Sequence, residues 1–288
     1  MSTDAPALGF DPELLQSVIA PLRSGPALIG LDVDGTLVDH RGHMDPEVRE
    51  TLHAVREAGH HVVIATGRAL GSTLPIVRLA GVNDGWSVSS NGAVTTRILG
   101  EADDQIEILE TLTFDPEHAL RAMHRAVPDA RFAVERPDGS FLATQSFQDM
   151  SFGLEALHVE MDALFAEKAV VRVVVTSPDL TNEEFSQVVA DAGLHGCEYA
   201  IGWSSWLDMS APGVTKASAL EALRVRLGIA PESTLAIGDG SNDVEMLAWA
   251  GAGISMGQAS PAVHAAANAA TLGIDQHGAA HALRLLLD

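Results

Sequence analysis

An α/β fold, a doubly wound parallel sheet interrupted by a separate α+β unit, is what this chain predicts, and three observations predict it. Short apolar runs, ALIGLDV (27–33), HVVIAT (61–66), STLAIGD (233–239) and GAGISM (251–256), carry the pattern of strands buried on both faces. Helix-like stretches alternate with them, as in a sheet covered on both sides. In the middle the alternation breaks: ARFAVE, GSFLATQSF and VVRVVVTS read as strands, set among helix-like DPEHALRAMHRA and TNEEFSQVVADAG. We therefore expect a discontinuous core at 1–112 and 205–288 with an α+β insert at 113–204.

In chain order, residues 1–24 read as a leader with a helical patch. The first strand, 27–33, has Gly-Pro before it and Asp-Gly after it. A helix follows over 45–59, with Asp45 as N-cap, Pro46 at the first helical position, Val48, Leu52 and Val55 on one face and Gly59 at the end. HVVIAT is the second strand, a helical stretch containing Pro75 comes next, and WSVSSNGAV (86–94) is a third strand. Inside the insert, PDG (137–139) marks a turn. In PGVTKASALEALRVRLG, Thr215 is a plausible N-cap, Leu220, Leu223 and Leu227 form the apolar face and Gly228 is the stop. STLAIGD, GAGISM and ATLGI (270–274) are further strands, with VEMLAWAG a helix between the first two.

The 288 residues, 47% of them hydrophobic and 19% charged, can bury a proper core. No apolar run approaches the roughly 20 residues that span a bilayer. Seventeen Lys and Arg against 39 Asp and Glu give a net charge of −22, and no basic cluster interrupts it. That charge excludes a nucleic-acid binder and an anionic-membrane binder. A single cysteine, Cys197, allows neither an intrachain disulfide nor a Cys-based metal site. The acidic, Pro-containing N-terminus is unlike a signal peptide. The expectation is a cytoplasmic enzyme, a monomer or small homo-oligomer.

Chemistry concentrates where strands end, which is where ligands bind in open α/β sheets. In DVDGT (32–36), Asp32 and Asp34 share a strand face, and their repulsion is relieved by a hard cation such as Mg²⁺. The same residues also suit a solvated Asp-Gly turn. GDGSND (238–243) places Asp239 at another strand end, with Asn242 and Asp243 in the following turn; a loop capping the next helix reads the same way. Thr66, Gly67 and Arg68 offer a hydroxyl and backbone N–H groups near a helix start, a phosphate cradle or an ordinary Thr N-cap. Lys216, in the first turn of its helix, opposes the helix dipole, which points to an anionic partner or to a solvated lysine.

In order, DVDGT, TGR, a lysine on a late helix and GDGSND resemble the four motifs of the haloacid dehalogenase-like phosphatases. The likeness is closer still to the Cof-type subfamily, whose type IIB cap is inserted between the second and third motifs; SSNGA (89–93) and GVTKASAL (213–220) also resemble it. Ala217 departs from the glycine that relatives usually carry after the lysine. The resemblance implies a Rossmann-like core and a Mg²⁺-dependent phosphatase acting on a small phosphorylated metabolite, such as a sugar phosphate. It puts the nucleophile on Asp32, the general acid/base on Asp34 and charge neutralisation on Lys216. It implies phosphate or substrate binding by Val33, Thr66, Gly67, Arg68, Asn91, Lys216 and Asn242. Mg²⁺ would be held by Asp32, Asp34 (through its backbone carbonyl), Asp239 and Asp243. Cap residues His118, His124, Arg131, Arg136 and Arg172 are candidate substrate contacts, as are Trp203, Trp206, His40 and His43. A phosphomutase of the phosphomannomutase type, or an idle regulatory homologue, are the rival functions.

Overall fold

The computed structural model describes residues 9–102, 104–146, 156–202 and 205–287. Its strands are β1 (Leu28–Leu31), β2 (His61–Ala65), β3 (Gly85–Ser89), β4 (Val94–Ile98), β5 (Ile106–Thr111), β6 (Arg131–Glu135), β7 (Phe141–Ala143), β8 (Ala156–His158), β9 (Arg172–Thr176), β10 (Glu198–Ile201), β11 (Trp206–Ser210), β12 (Thr234–Gly238), β13 (Ala252–Ser255) and β14 (Ala269–Ala270). The helices are α1 (Pro12–Ile19), α2 (Pro46–Glu57), α3 (Leu70–Leu79), α4 (Glu117–Ala126), α5 (Met161–Ala166), α6 (Asn182–Asp191), α7 (Lys216–Leu227), α8 (Val244–Trp249), α9 (Pro261–Ala266) and α10 (Gly278–Arg284). No helix among the described residues is long and apolar enough to cross a membrane.

The core is an eight-stranded sheet in the order β14-β13-β12-β1-β2-β3-β4-β5. It is parallel from β14 to β3, with β1 paired to both β12 and β2. Alternate residues of each buried strand feed opposite layers. Ile29, Leu31, Val62 and Ile64 pack with α1, α2, α3 and α10, while Leu28, Val63 and Ala65 pack with α7, α8 and α9. Helix α2 begins as expected, with the Asp45 carboxylate accepting from the Glu47 N–H at 2.8 Å.

A second, six-stranded sheet, β10-β11-β9-β6-β7-β8, is antiparallel except for the β7–β8 pair. One face carries α4, α5 and α6 through Leu120, Met123, Leu164, Phe185 and Val189. On the other face Ala133, Phe141, Ala143 and Val174 pack with Ala69 of the core, so this sheet lies over the core's strand ends.

Several expectations change. The stretch read as a leader is structural: Leu15 and Ile19 of α1 are fully buried in the main core. The strand expected over 86–94 breaks after Ser89, because Ser90, Asn91 and Gly92 all take positive φ and turn the chain into antiparallel β4. ATLGI yields only the two-residue β14. Strand β11 belongs to the second sheet, paired with β9 and β10, so that sheet extends past residue 204 to Ser210. Its short WLDMS stretch carries no mark of which sheet it joins.

Candidate active site

Four strand or helix ends meet under the second sheet. The DVDGT turn leaves β1 with Val33 accepting from the N–H groups of Leu37 and Val38, both at 2.9 Å. Gly35, at φ +81°, is required: a Cβ there would lie 2.3 Å from Asp239 Oδ2, so only glycine lets the two acidic loops close on each other. Asp239 caps the end of β12. Asp243 folds back in a tight turn, its Oδ2 accepting from the N–H of Asp239 at 3.0 Å and of Gly240 at 2.9 Å.

Lys216 is the first residue of α7, whose N-cap Thr215 forms a capping box with Ser218. The SSNGA turn seats that helix start. Gly92, at φ +108°, lies so close that a Cβ would sit 2.2 Å from the Thr215 carbonyl. Lys216 Nζ thereby reaches Asp32 Oδ1 at 2.6 Å and Asp243 Oδ1 at 2.7 Å. Ala217 continues α7, where alanine favours a helix over the expected glycine.

Asp32, Asp239, Asp243 and Lys216 are 5%, 4%, 0% and 1% exposed. Three buried carboxylates face one ammonium, so two negative charges are uncompensated by this lysine. Burial alone would lower the lysine's pKa, but Asp243 and Asp32 outweigh it and hold it above the ordinary value. Burial, then Asp243, raises the Asp32 carboxyl well above its usual range against the pull of Lys216. The same two causes push Asp239 up to about 6. An oxygen from each of the three aspartates lies within 4.8 Å of the others, a donor set that suits a hard divalent cation in both charge and chemistry.

A pH dependence follows. A carboxyl whose folded pKa exceeds its unfolded value binds its proton more tightly when folded, so stability falls as pH rises between the two. Without a cation, Asp239 alone should cost roughly 3 kcal/mol between about pH 4 and pH 6. A divalent cation, which needs the ionised form, should recover it above that window. Thermal unfolding with Mg²⁺ and with EDTA should therefore diverge as pH rises from about 4.5 to 7. An equal gap at both ends contradicts this.

The Asp34 carboxylate stands outside that cluster. Its side chain is 55% exposed and meets Arg68 in a two-point pair, Nε to Oδ2 at 2.8 Å and the second nitrogen to Oδ1 at 2.5 Å. Thr66 is not a helix N-cap, since Ala69 fills that position; instead its Oγ1 accepts from the Arg68 N–H at 3.1 Å. Asn242 donates to Asn91 Oδ1 at 2.9 Å, tying the SSNGA turn to the GDGSND loop. The Val33 side chain is fully buried in the core, so only its backbone is available to a ligand.

A cavity of about 950 Å³ opens over these groups, lined by Asp32, Asp34, Thr66, Arg68, Asp239 and Asn242 below and by residues of the second sheet and its loops above. Of the substrate-contact candidates, Arg131, Arg172, Trp206 and His40 line it. His118, His124, Arg136 and His43 do not. His118 lies exposed on α4, His124 packs edge-on against Phe132 and Phe165 on the far side of the sheet, Arg136 pairs with Glu167, and His43 lies exposed in the loop after DVDGT. Trp203 lies outside the described residues.

Sequence reasoning missed Gln258, which donates to Asp239 Oδ2 at 3.3 Å and to the Gly35 carbonyl at 2.6 Å, and Thr36, which donates to Asp239 Oδ1 at 3.4 Å. Gln258 carries no signal in its GQAS context; Thr36, the last letter of DVDGT, could have been found.

Residues 29–283 match the family described as haloacid dehalogenase-like hydrolase. The phosphatase YwpJ of Bacillus subtilis (strain 168) is 27% identical over 284 residues, covering 90% of this chain and 99% of that protein. The pyridoxal phosphate phosphatase YbhA of Escherichia coli (strain K12) is 29% identical over 254 residues, covering 84% and 91%. In fold, the chain is similar to the HAD subclass IIB sugar phosphatase BT4131, with a TM-score of 0.73 at 24% identity over 90% of this chain and 98% of that one. With its motifs meeting at adjoining strand ends, and the second sheet entering the chain between the second and third of them in a fold like that of the IIB structure, this protein belongs to the haloacid dehalogenase-like hydrolases and is a phosphatase.

Proposed function

We propose that the protein hydrolyses the phosphate monoester of a small metabolite through an aspartyl-phosphate at Asp32, with Mg²⁺ as cofactor. The observation that carries this reading is the buried Asp32–Lys216–Asp243 chain beside Asp239 at the floor of the cavity. Bound Mg²⁺ would supply charge neutralisation at the transferring phosphoryl group, held by Asp32, Asp239, the Asp34 backbone carbonyl and, directly or through water, Asp243.

Lys216 pins Asp32 by one carboxylate oxygen and keeps its orientation at the buried floor of the site. Asp32 attacks phosphorus; the bond to the ester oxygen breaks, and Asp34 delivers a proton to that oxygen. Asp34 then takes a proton from water, which attacks the same phosphorus and releases Asp32 and inorganic phosphate. For both steps Asp34 must leave Arg68, whose fork then becomes available to the phosphate. Thr66, the Gly67 backbone and Asn242 hold phosphate oxygens, with Asn91 fixing the Asn242 amide.

We place the cap from about residue 113 to the end of β11 at Ser210, one strand beyond the boundary expected from sequence. It closes the cavity and reads the organic group. The relatives' names span pyridoxal phosphate and sugar phosphates, which supports a compact phosphomonoester and leaves its organic part to the cap.

Chelation is expected to remove activity and Mg²⁺ to restore it. Assays on phosphorylated metabolites that follow free phosphate and isomerised product together separate hydrolysis from phosphoryl migration. Full turnover in metal-free buffer, or migration without phosphate release, overturns the reading.

A further inference from the structure

We infer that Arg172, a cap residue, is a positioning residue for the phosphate grip: it acts through the Gly67 carbonyl to set the direction in which Thr66 offers its hydroxyl. The inference rests on Thr66 holding phosphate as proposed above.

Arg172 lies on β9 and is 1% exposed. One guanidinium nitrogen reaches across to the core and donates to the Gly67 carbonyl at 2.5 Å, and the same nitrogen meets Asp208 Oδ1 at 3.2 Å. Its Nε donates to Glu135 Oε2 at 3.2 Å. Glu135, 2% exposed, is in turn held from the core, since Ser90 Oγ lies 2.9 Å from Oε2 and 3.1 Å from Oε1. Two cap carboxylates thus compensate the arginine's charge, and its reach toward the core goes to a backbone carbonyl.

The Gly67 carbonyl and the Arg68 N–H are opposite ends of one planar trans peptide. Fixing one end fixes the other. That N–H donates to Thr66 Oγ1 at 3.1 Å. A hydroxyl has one proton and two lone pairs, so with a lone pair occupied by this donor its proton is directed elsewhere, and Thr66 lines the cavity. Without such a hold, a peptide following glycine has more freedom to rotate than any other. Loop 66–68 is also tied to the SSNGA turn, through Ser90 N–H to the Arg68 carbonyl at 2.8 Å and Asn91 N–H to the Thr66 carbonyl at 3.0 Å. Ser90 therefore joins the loop to the Glu135–Arg172 pair, its N–H on the Arg68 carbonyl and its hydroxyl on the Glu135 carboxylate. In this arrangement, docking of the cap and readiness of the phosphate site are one event.

The test is a double-mutant cycle on the full-length, Mg²⁺-loaded enzyme, with inorganic phosphate as competitive inhibitor of p-nitrophenyl phosphate hydrolysis. Inorganic phosphate has no organic group for the cap to read, so a contact from Arg172 to the organic part of the substrate would not move its inhibition constant. A direct contact from Arg172 to phosphate would give a loss that adds to that of Thr66→Ala. Thr66→Ala should weaken inhibition about tenfold or more. Arg172→Met combined with Glu135→Gln, which removes both charges of the buried pair together, should weaken it about tenfold. Beside Thr66→Ala, the same pair should add less than about twofold, because the group it positions is already gone. If the pair does not fold, Arg172→Lys completes the cycle. A loss of about threefold or more that disappears beside Thr66→Ala supports the relay. Losses that add fully, or no loss on changing Arg172, overturn it. A Thr66→Ala enzyme with unchanged phosphate inhibition instead overturns the phosphate reading beneath it.

Discussion

Asp32→Asn is expected to lower kcat by roughly 10⁴-fold or more, the scale of loss when an enzyme's nucleophile is removed. The amide is a poor nucleophile and takes one charge from a three-carboxylate floor. Asp34→Asn should lose about 10²–10⁴-fold, the usual contribution of a positioned proton-transfer group. The two losses differ in kind. Asp34 lies outside the buried cluster, so its replacement leaves Asp32, Lys216 and Asp243 in place and the first step still possible. Hydrolysis of the phospho-enzyme then lacks its base, so aspartyl-phosphate should accumulate in the Asp34 variant and never in the Asp32 variant. With p-nitrophenyl phosphate, whose leaving group scarcely needs a proton, the Asp34→Asn loss in kcat/KM should be smallest, while kcat, limited by hydrolysis of the phospho-enzyme, stays low for every substrate. Acid quench and mass spectrometry of the peptide around residue 32 read this directly. Phosphate on a serine, threonine or histidine would falsify the covalent mechanism.

Lys216→Met is expected to abolish detectable turnover and to destabilise the metal-free protein by about 3–5 kcal/mol, the cost of leaving buried charge without its partner. Its ammonium is the shared donor for Asp32 and Asp243, both buried. Saturating Mg²⁺ should return part of the stability without returning activity, since a cation can offset the carboxylates but cannot hold Asp32 by the same oxygen. Denaturant unfolding with and without Mg²⁺, alongside the assay, separates the two. Equal stability of variant and parent in EDTA would show that the lysine's charge is not what holds the floor together.

Much of the site was legible because motif and strand end coincide. DVDGT, TGR and GDGSND each follow a run whose apolar character marks a buried strand, and parallel strands put their carboxyl ends on one side. Asp32, Asp239, Asp243 and Lys216 come together as the resemblance implied, whereas the spacing of Asp32 and Asp34 alone did not bring the Asp34 carboxylate into the cluster. Less legible were the groups acting through single long-range contacts. Gln258 stands 223 residues from Gly35 and Arg172 stands 105 from Gly67, and neither sits in a pattern that ranks it above its neighbours. His118 and His124 fall outside the cavity for a related reason: they lie on α4, whose side of the second sheet faces away from it, and no local period states which side of a sheet meets another domain.

The alternation of buried strands and helices, the break in it midway along the chain and the acidic loops at the strand ends were all written in the sequence. These are local matters, set by hydrophobic period, capping residues and turn chemistry within a few positions. Contacts made in space settle that β11 joins the second sheet, that α1 packs into the core, that Asp34 pairs with Arg68 away from the buried aspartates, and that Arg172 of the second sheet grips the loop holding Thr66. Those outcomes depend on which surfaces meet after the chain has folded, and the energy of a buried charge or hydrogen bond is set by its surroundings in space, not by its neighbours in sequence.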